Sequence, residues 1–292
     1  MKKTLIALAA LGVVGTAAAE ATIYGVVDVG ITNAGGATNV ASGLAATPRI
    51  GLKGSEDLGG GLSASWMVEA GYNNVKEATG AVTDDVAAIG TNFGDRGASL
   101  SIGGSFGEIT MGASVLSPSF FAAAPNDPTG AANYMPAQGA QWGASRNDNQ
   151  ISYKNTIGDV TVRAAVVSKD DNSNQAVSDI SAVYSANGFT VSAASYSGAS
   201  KTTYVGASYD LGVAKLYAGK TSTGNDKTTL GISAPMGPMT LQAGSYKDNA
   251  AGTSATVVAA VYALSKATSF NTFYQSPKGS DAKLGFGFTH KF

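Results

Sequence analysis

Apolar and polar residues alternate along most of this chain with a period of two, and long helical periodicity is missing. The closing segment is the clearest case. Leu284, Phe286, Phe288, His290 and Phe292 share one face of an extended strand, and Lys283, Gly285, Gly287, Thr289 and Lys291 share the other. A strand with one apolar face and one small or charged face suits a sheet with lipid outside and water inside, as in a transmembrane β-barrel. The first segment, Thr22–Ile31, repeats the pattern, with Ile23, Val27, Val29 and Ile31 against Tyr24 and Asp28.

Followed from end to end, the alternation predicts sixteen strands. The first eight are Thr22–Ile31, Pro48–Glu56, Leu62–Gly71, Arg96–Gly103, Glu108–Ala113, Asp148–Lys154, Asp159–Ser168 and Val177–Ala186. The second eight are Phe189–Ser197, Thr202–Tyr209, Val213–Lys220, Lys227–Ala234, Met239–Tyr246, Ala255–Ala263, Thr268–Gln275 and Ala282–Phe292. An even number is what a closed antiparallel single-chain barrel requires. Short turns such as Asp57–Gly61, Asn155–Gly158, Asn187–Gly188 and Pro235–Pro238 alternate with longer polar connections such as Thr32–Thr47, Tyr72–Asp95 and Lys169–Ala176. Short turns on one rim and long loops on the other match an outer-membrane barrel, with periplasmic turns and extracellular loops. The fold class predicted is therefore all-β, a 16-stranded antiparallel transmembrane β-barrel. At that size side chains cannot fill the interior, so the lumen holds water.

One stretch breaks the alternation. Ser114–Ser145 carries four of the eight prolines, the pair Phe120-Phe121, and Tyr134, Met135 and Trp142. A solvated surface loop of that length with so many apolar side chains is unusual, whereas inside a barrel it can fold inward, pack on the wall and narrow the lumen. Asp127, between Pro125 and Pro128, is its one charged side chain. The plainer alternative is an external loop at the mouth or at a subunit contact.

Composition narrows the picture further. Lys2 and Lys3, the apolar run Leu5–Val14 and Ala17–Ala19 read as a secretory signal peptide over residues 1–19, leaving 20–292 as a single barrel domain with 114–145 as its constriction loop. Beyond it no apolar run reaches the length of a membrane helix. Without Lys2 and Lys3, 17 basic residues face 20 acidic ones, a formal charge near −3. Cysteine is absent, and His290, the one histidine, lies on the lipid parity of the last strand. With no metal-ligand spacing, phosphate loop or nucleophile–histidine pair, the chain is not expected to be an enzyme or to carry a cofactor.

The candidate chemistry is electrostatic. There are four arginines, Arg49, Arg96, Arg146 and Arg163. A guanidinium keeps its charge in any plausible environment and holds a rigid fork of donors, which suits a crowded, partly dehydrated wall. Parity puts Arg49, Lys53, Arg163 and Tyr24 on polar faces, and Arg146 just ahead of a strand whose polar parity it shares. Arg96 shares parity with Ala98, Leu100 and Ile102, the lipid-facing set. Either a bulge near Asp95–Gly97 shifts the register, or Arg96 lies above the hydrocarbon. Gathered on one wall, these arginines would attract anions. Alternatively they pair with Asp28, Glu56, Glu69, Asp95, Glu108 or Asp148 and brace the wall.

Ile23–Asp28, Arg49–Leu62 (RIGLKGSEDLGGGL), Phe106–Gly112 and the closing GFTHKF together resemble the general diffusion porins of Gram-negative bacteria, nearest the β-proteobacterial branch that includes anion-selective members. The resemblance implies a homotrimer in the outer membrane of a Gram-negative bacterium, in contact with outer-membrane lipid and lipopolysaccharide, with one pore per subunit passing ions and small hydrophilic solutes. It also implies an inward-folded third external loop facing a basic cluster that includes Arg49, Arg96 and Arg146, with Asp127 as the loop's acid. Gly97 and Met111 stand where the family sometimes has a basic residue. A weak anion preference is the expectation. The rival readings are a substrate-specific channel for sugars or organic acids, with Tyr24, Tyr134 and Trp142 along its path, and a non-conducting barrel adhesin.

Overall fold

A computed structural model of the protein describes residues 21–73, 75, 93–136, 144–168, 176–198, 201–223 and 226–292. The expected signal segment 1–19 and Trp142 lie outside the described residues. The first six strands are β1 (Thr22–Ala34), β2 (Ala37–Ser42), β3 (Arg49–Gly59), β4 (Leu62–Gly71), β5 (Gly97–Gly104) and β6 (Gly107–Ala113). After the insertion come β9 (Gln150–Ile157), β10 (Val160–Val167), β11 (Val177–Ala186), β12 (Phe189–Ser197) and β13 (Lys201–Asp210). The chain finishes with β14 (Lys215–Ser222), β15 (Lys227–Met236), β16 (Met239–Asp248), β17 (Thr253–Ala263), β18 (Thr268–Pro277) and β19 (Lys283–Lys291). The insertion itself holds β7 (Val115–Leu116), α1 (Pro118–Ala123) and β8 (Arg146–Asn147).

Every neighbouring pair in the main sheet is antiparallel, and β1 pairs with β19 from Val26↔Lys291 to Ala34↔Lys283, so the sheet closes on itself. The seam is finished by two reciprocal bonds, Gly25 N–H to Phe292 O at 3.0 Å and Phe292 N–H to Gly25 O at 3.2 Å. Seventeen strands make this sheet, but β2 and β3 occupy one place in the ring. The upper half of β1, Val29–Ala34, pairs with β2, while its lower half, Thr22–Val26, pairs with β3. The ring therefore has sixteen positions, as the alternation predicted. Closure follows from the solvent. Hydrocarbon offers no partner for an unpaired N–H or C=O, and each one left open costs several kcal/mol.

The first connection differs from its expected form. Instead of one loop over Thr32–Thr47, β1 continues to Ala34, turns at Gly35-Gly36 and returns as β2. Only residues 43–48 leave the sheet, and they do so toward the lumen, where Leu44 is buried. The Asn187-Gly188 hairpin is as expected, both residues taking positive φ (52° and 81°), as a two-residue turn matched to strand twist requires.

Outward side chains form a lipid-facing belt. Ile180, Val205 and Leu230 are 59%, 57% and 62% exposed, while their chain neighbours Asp179, Tyr204 and Thr229 are 2%, 3% and 2% exposed. The last strand behaves as its pattern demands, with Leu284, Phe286 and Phe288 exposed and Gly285, Gly287 and Thr289 buried.

The inward residues of β11–β18 are buried because the insertion lies on them. Ser117 caps α1 by accepting from Phe120 N–H at 3.0 Å, and Pro118 sits at the first helical turn, where its missing N–H costs nothing. Ser119 then donates from N and Oγ to the Asp179 carboxylate on β11 at 3.0 and 2.5 Å. Ser192 Oγ on β12 donates to Ala122 O at 2.7 Å and accepts from Asn126 Nδ2 at 2.6 Å. Farther round, Tyr134 donates to Gln242 Oε1 on β16 at 2.7 Å and stacks on Phe273 of β18, ring centres 5.2 Å apart. These anchors share the buried parity of their strands, so the insertion is inside the barrel, not at its mouth. An arginine at Leu230, facing lipid between the two rims, should cost about 2–4 kcal/mol of folding stability in bilayers, read as a lowered urea midpoint.

Candidate functional site

The wall opposite α1 is organised by a row of facing residues. Tyr24 on β1 pairs with Gly51 on β3, Gly51 with Glu69 on β4, and Glu69 with Gly97 on β5. The two glycines leave Glu69 room on both sides. A Cβ at Gly51 would stand 2.4 Å from the Tyr24 ring, so only glycine lets that ring lie flat and bring its hydroxyl to Glu69 Oε2 at 3.0 Å. On the other side a Cβ at Gly97 would meet Met67 at 2.7 Å and lie 3.7 Å from Arg146 Nη1.

Three guanidiniums converge on this carboxylate. Arg49 Nε is 3.4 Å from Oε2, Arg96 Nε 3.0 Å from Oε1, and Arg146 Nη2 3.7 Å from Oε1. Backbone carbonyls hold two of the three guanidiniums further. Arg49 Nη1 donates to Thr47 O at 3.0 Å, and Arg146 Nη1 donates to Ser114 O at 2.9 Å and to Arg96 O. The Glu69 side chain is 8% exposed, whereas Arg49, Arg96 and Arg146 keep 27%, 22% and 24% open. The one negative charge is thus at the back and the three positive ones at the front, with two of them uncompensated. One charge-assisted hydrogen bond, from Arg96, and two longer ion pairs tie the guanidiniums to a single carboxylate without cancelling their field.

The local chain explains each placement. Arg49 opens β3. Arg96 belongs to a turn closed by Gly97 N–H to Gly94 O at 3.0 Å, so it precedes β5 and escapes the lipid parity of Ala98, Leu100 and Ile102. Arg146 faces inward because β7 and β8 form a two-stranded neck, Leu116↔Arg146, that carries the insertion into the lumen.

The other expected residues are placed as follows. Lys53 lies two residues beyond Gly51 with Nζ 5.2 Å from the centre of the Tyr24 ring. Arg163 on β10 stacks its guanidinium 4.3 Å from the centre of the Phe121 ring, so it faces the insertion, not the Glu69 cluster. Asp127 was expected opposite the arginines and is not there. It is 5% exposed, and its Oδ1 accepts from Thr129 N at 2.8 Å, Thr129 Oγ1, Ala131 N at 3.3 Å and Tyr246 Oη at 3.4 Å. Burial pushes its carboxyl above the ordinary range, partly offset by those hydrogen bonds. It braces the bend of the insertion against β16. Tyr134, 4% exposed beneath Phe273, does not line the open path either.

The acid that does face the arginines, Glu69, was legible only as one of several bracing partners. Its signal in the sequence is its parity, opposite to that of Trp66 and Val68. Between the arginine wall and the insertion lies an open space of about 810 Å³. Arg49, Arg96, Arg146, Lys154 and Arg163 border it, against Glu69 and Glu108. Lys154 and Glu108 pair at 3.3 Å, so the excess charge of this space is positive. The described residues include no cluster of three metal-binding side chains.

The closed antiparallel ring has counterparts among known proteins. Outer membrane porin protein 32 of Delftia acidovorans is 37% identical over 169 residues, 52% of this chain and 45% of the relative. Major outer membrane protein P.IB of Neisseria meningitidis is 34% identical over 122 residues, 38% of this chain and 33% of that protein. The chain thus spans less than half the length of these curated relatives. The solved structure of an anion-selective porin from Comamonas acidovorans superposes with a TM-score of 0.73 at 22% identity, covering 94% of this chain and all of that one. A mutant of the Rh. blastica porin gives 0.72 at 15%, again over 94% of this chain and 100% of that one. At such identities these two superpositions speak for the fold. The family model of Gram-negative porins matches residues 4–282, nearly the whole chain, and with it this outer-membrane barrel belongs to the Gram-negative porin family.

Proposed function

We propose that this chain is a general diffusion channel. It passes ions and small hydrophilic solutes passively through a water-filled lumen, with a weak preference for anions. The observation that carries this reading is the asymmetric charge of the narrowing, where Arg49, Arg96 and Arg146 show their faces to the lumen and share one carboxylate held behind them. An anion passing the insertion exchanges part of its hydration shell for these donors, and a cation meets uncompensated positive charge. Nothing in such passage requires a covalent step. Arg163 adds positive charge to the same open space, Lys53 lies over the Tyr24 ring, and Tyr24 acts by holding Glu69. Asp127 serves the narrowing indirectly, by keeping the insertion folded.

The similarity to an anion-selective porin supports the same direction of selectivity. Removal of residues 1–19 as a signal peptide, assembly as a homotrimer and contact with lipopolysaccharide complete the proposal. Cross-linking of the purified protein in detergent tests the trimer.

Purified protein in planar bilayers should open in discrete steps, and a salt gradient should give a zero-current potential of the sign that anion preference requires. A cation-sign potential would overturn the selectivity. Raising salt from 0.1 to 1 M shrinks the Debye length from about 10 to about 3 Å, so the anion preference should weaken markedly over that range. Removing a guanidinium and removing its counter-ion should act oppositely. Arg146→Ala should shift the zero-current potential toward the non-selective value, and Glu69→Gln should shift it further to the anion side. The second variant should also unfold more easily, by roughly 3–5 kcal/mol, because three guanidiniums lose their shared buried partner.

A further inference from the structure

The segment between β2 and β3, residues 43–48, takes no part in the sheet, yet it is tied down on three sides. On the wall side, the Asp28 carboxylate of β1, itself fully buried, accepts from Ala45 N at 3.2 Å and Ala46 N at 2.9 Å. Thr289 Oγ1 of β19 donates to the same carboxylate at 2.5 Å, so the ring seam and this segment share one acid. Below, Leu44 packs with Tyr134, Tyr246, Val257 and Phe273. It sits where a side chain at Gly30 or Gly285 would intrude, each hypothetical Cβ lying 3.0 Å from a Leu44 methyl. On the lumen side, Asn133 of the insertion donates Nδ2 to Gly43 O at 2.8 Å and its backbone N to Ala45 O at 2.9 Å. Another of the segment's carbonyls, Thr47 O, receives Arg49 Nη1 at 3.0 Å.

Ala45, Ala46, Thr47 and Asn133 border the same open space as the arginine cluster. We propose that residues 43–48 are a second constriction element, a strap that meets the tip of the insertion and completes the narrowing. Asp28 and Asn133 are its positioning residues. Asp28 turns the strap's N–H groups to the wall, which leaves its carbonyls for Asn133 and Arg49. One buried carboxylate thereby sets both where the insertion ends and how one selectivity guanidinium points. The inference deepens the diffusion-channel reading and rests on it.

The test is single-channel recording and zero-current potential on the full-length protein carrying Asp28→Asn, Asn133→Ala or both. Asn133 is exposed in the lumen and contributes nothing to the sheet, so its variant folds even if loss of the Asp28 charge disturbs the seam. Asn133→Ala should lose the single uniform open level in favour of several levels, with the anion preference reduced. Asp28→Asn should do the same, and the double variant should go no further than the stronger single one, because both act through one strap. Heat-modifiable gel mobility reports an intact barrel independently. Parent-like conductance and potential in Asn133→Ala would overturn the strap proposal and leave the diffusion reading standing. A parent protein that never opens would overturn both.

Discussion

Closure of the ring is the constraint from which the rest of the structure descends. A sheet in hydrocarbon cannot leave an edge unpaired, so β1 must find β19, and the register of that meeting is dictated by which faces are apolar. Pairing Val29 with Phe288 and Ile31 with Phe286 puts their side chains together in lipid. The same register brings Gly30 opposite Gly287 on the inner face, and Asp28 opposite Thr289. The seam therefore carries lipid-compatible bulk outside. Inside it leaves a shallow floor and a buried acid, on which the strap rests.

The arginine wall follows a second rule, that a buried charge must be matched. Glu69 is nearly excluded from water, and its cost is met by three guanidiniums and a tyrosine hydroxyl. Because one acid serves three bases, pairing fixes their geometry without neutralising them. The pairing that braces the arginines against Glu69 leaves 27%, 22% and 24% of the Arg49, Arg96 and Arg146 side chains open on the lumen side.

The insertion shows the opposite economy. Its one acid, Asp127, is taken up by Thr129 and Ala131 of the loop and by Tyr246 of β16, while its aromatic and small residues cover the inner wall. Charge is thereby concentrated on the far side, where Arg49, Arg96 and Arg146 stand. The space between a largely apolar insertion and a cationic wall has a direction, positive on one flank, which dipolar solutes would feel as well as ions.

Much of this was determined by the chain itself. Period-two alternation dictates sixteen ring positions, the outward belt and the inward faces, because each residue's side is settled by parity alone once one face must meet lipid. The proline- and aromatic-rich break at Ser114–Ser145 marks the inserted loop for the same reason. Parity could not say how strands sit side by side, and only the tertiary structure decided that Glu69 falls between Gly51 and Gly97, within reach of residues 49, 96 and 146. Nor could it follow residues that leave the sheet: Arg96 in its turn, Asp127 in its bend, and residues 43–48 in the lumen. Those positions depend on contacts between segments far apart along the chain, and local alternation carries no record of them.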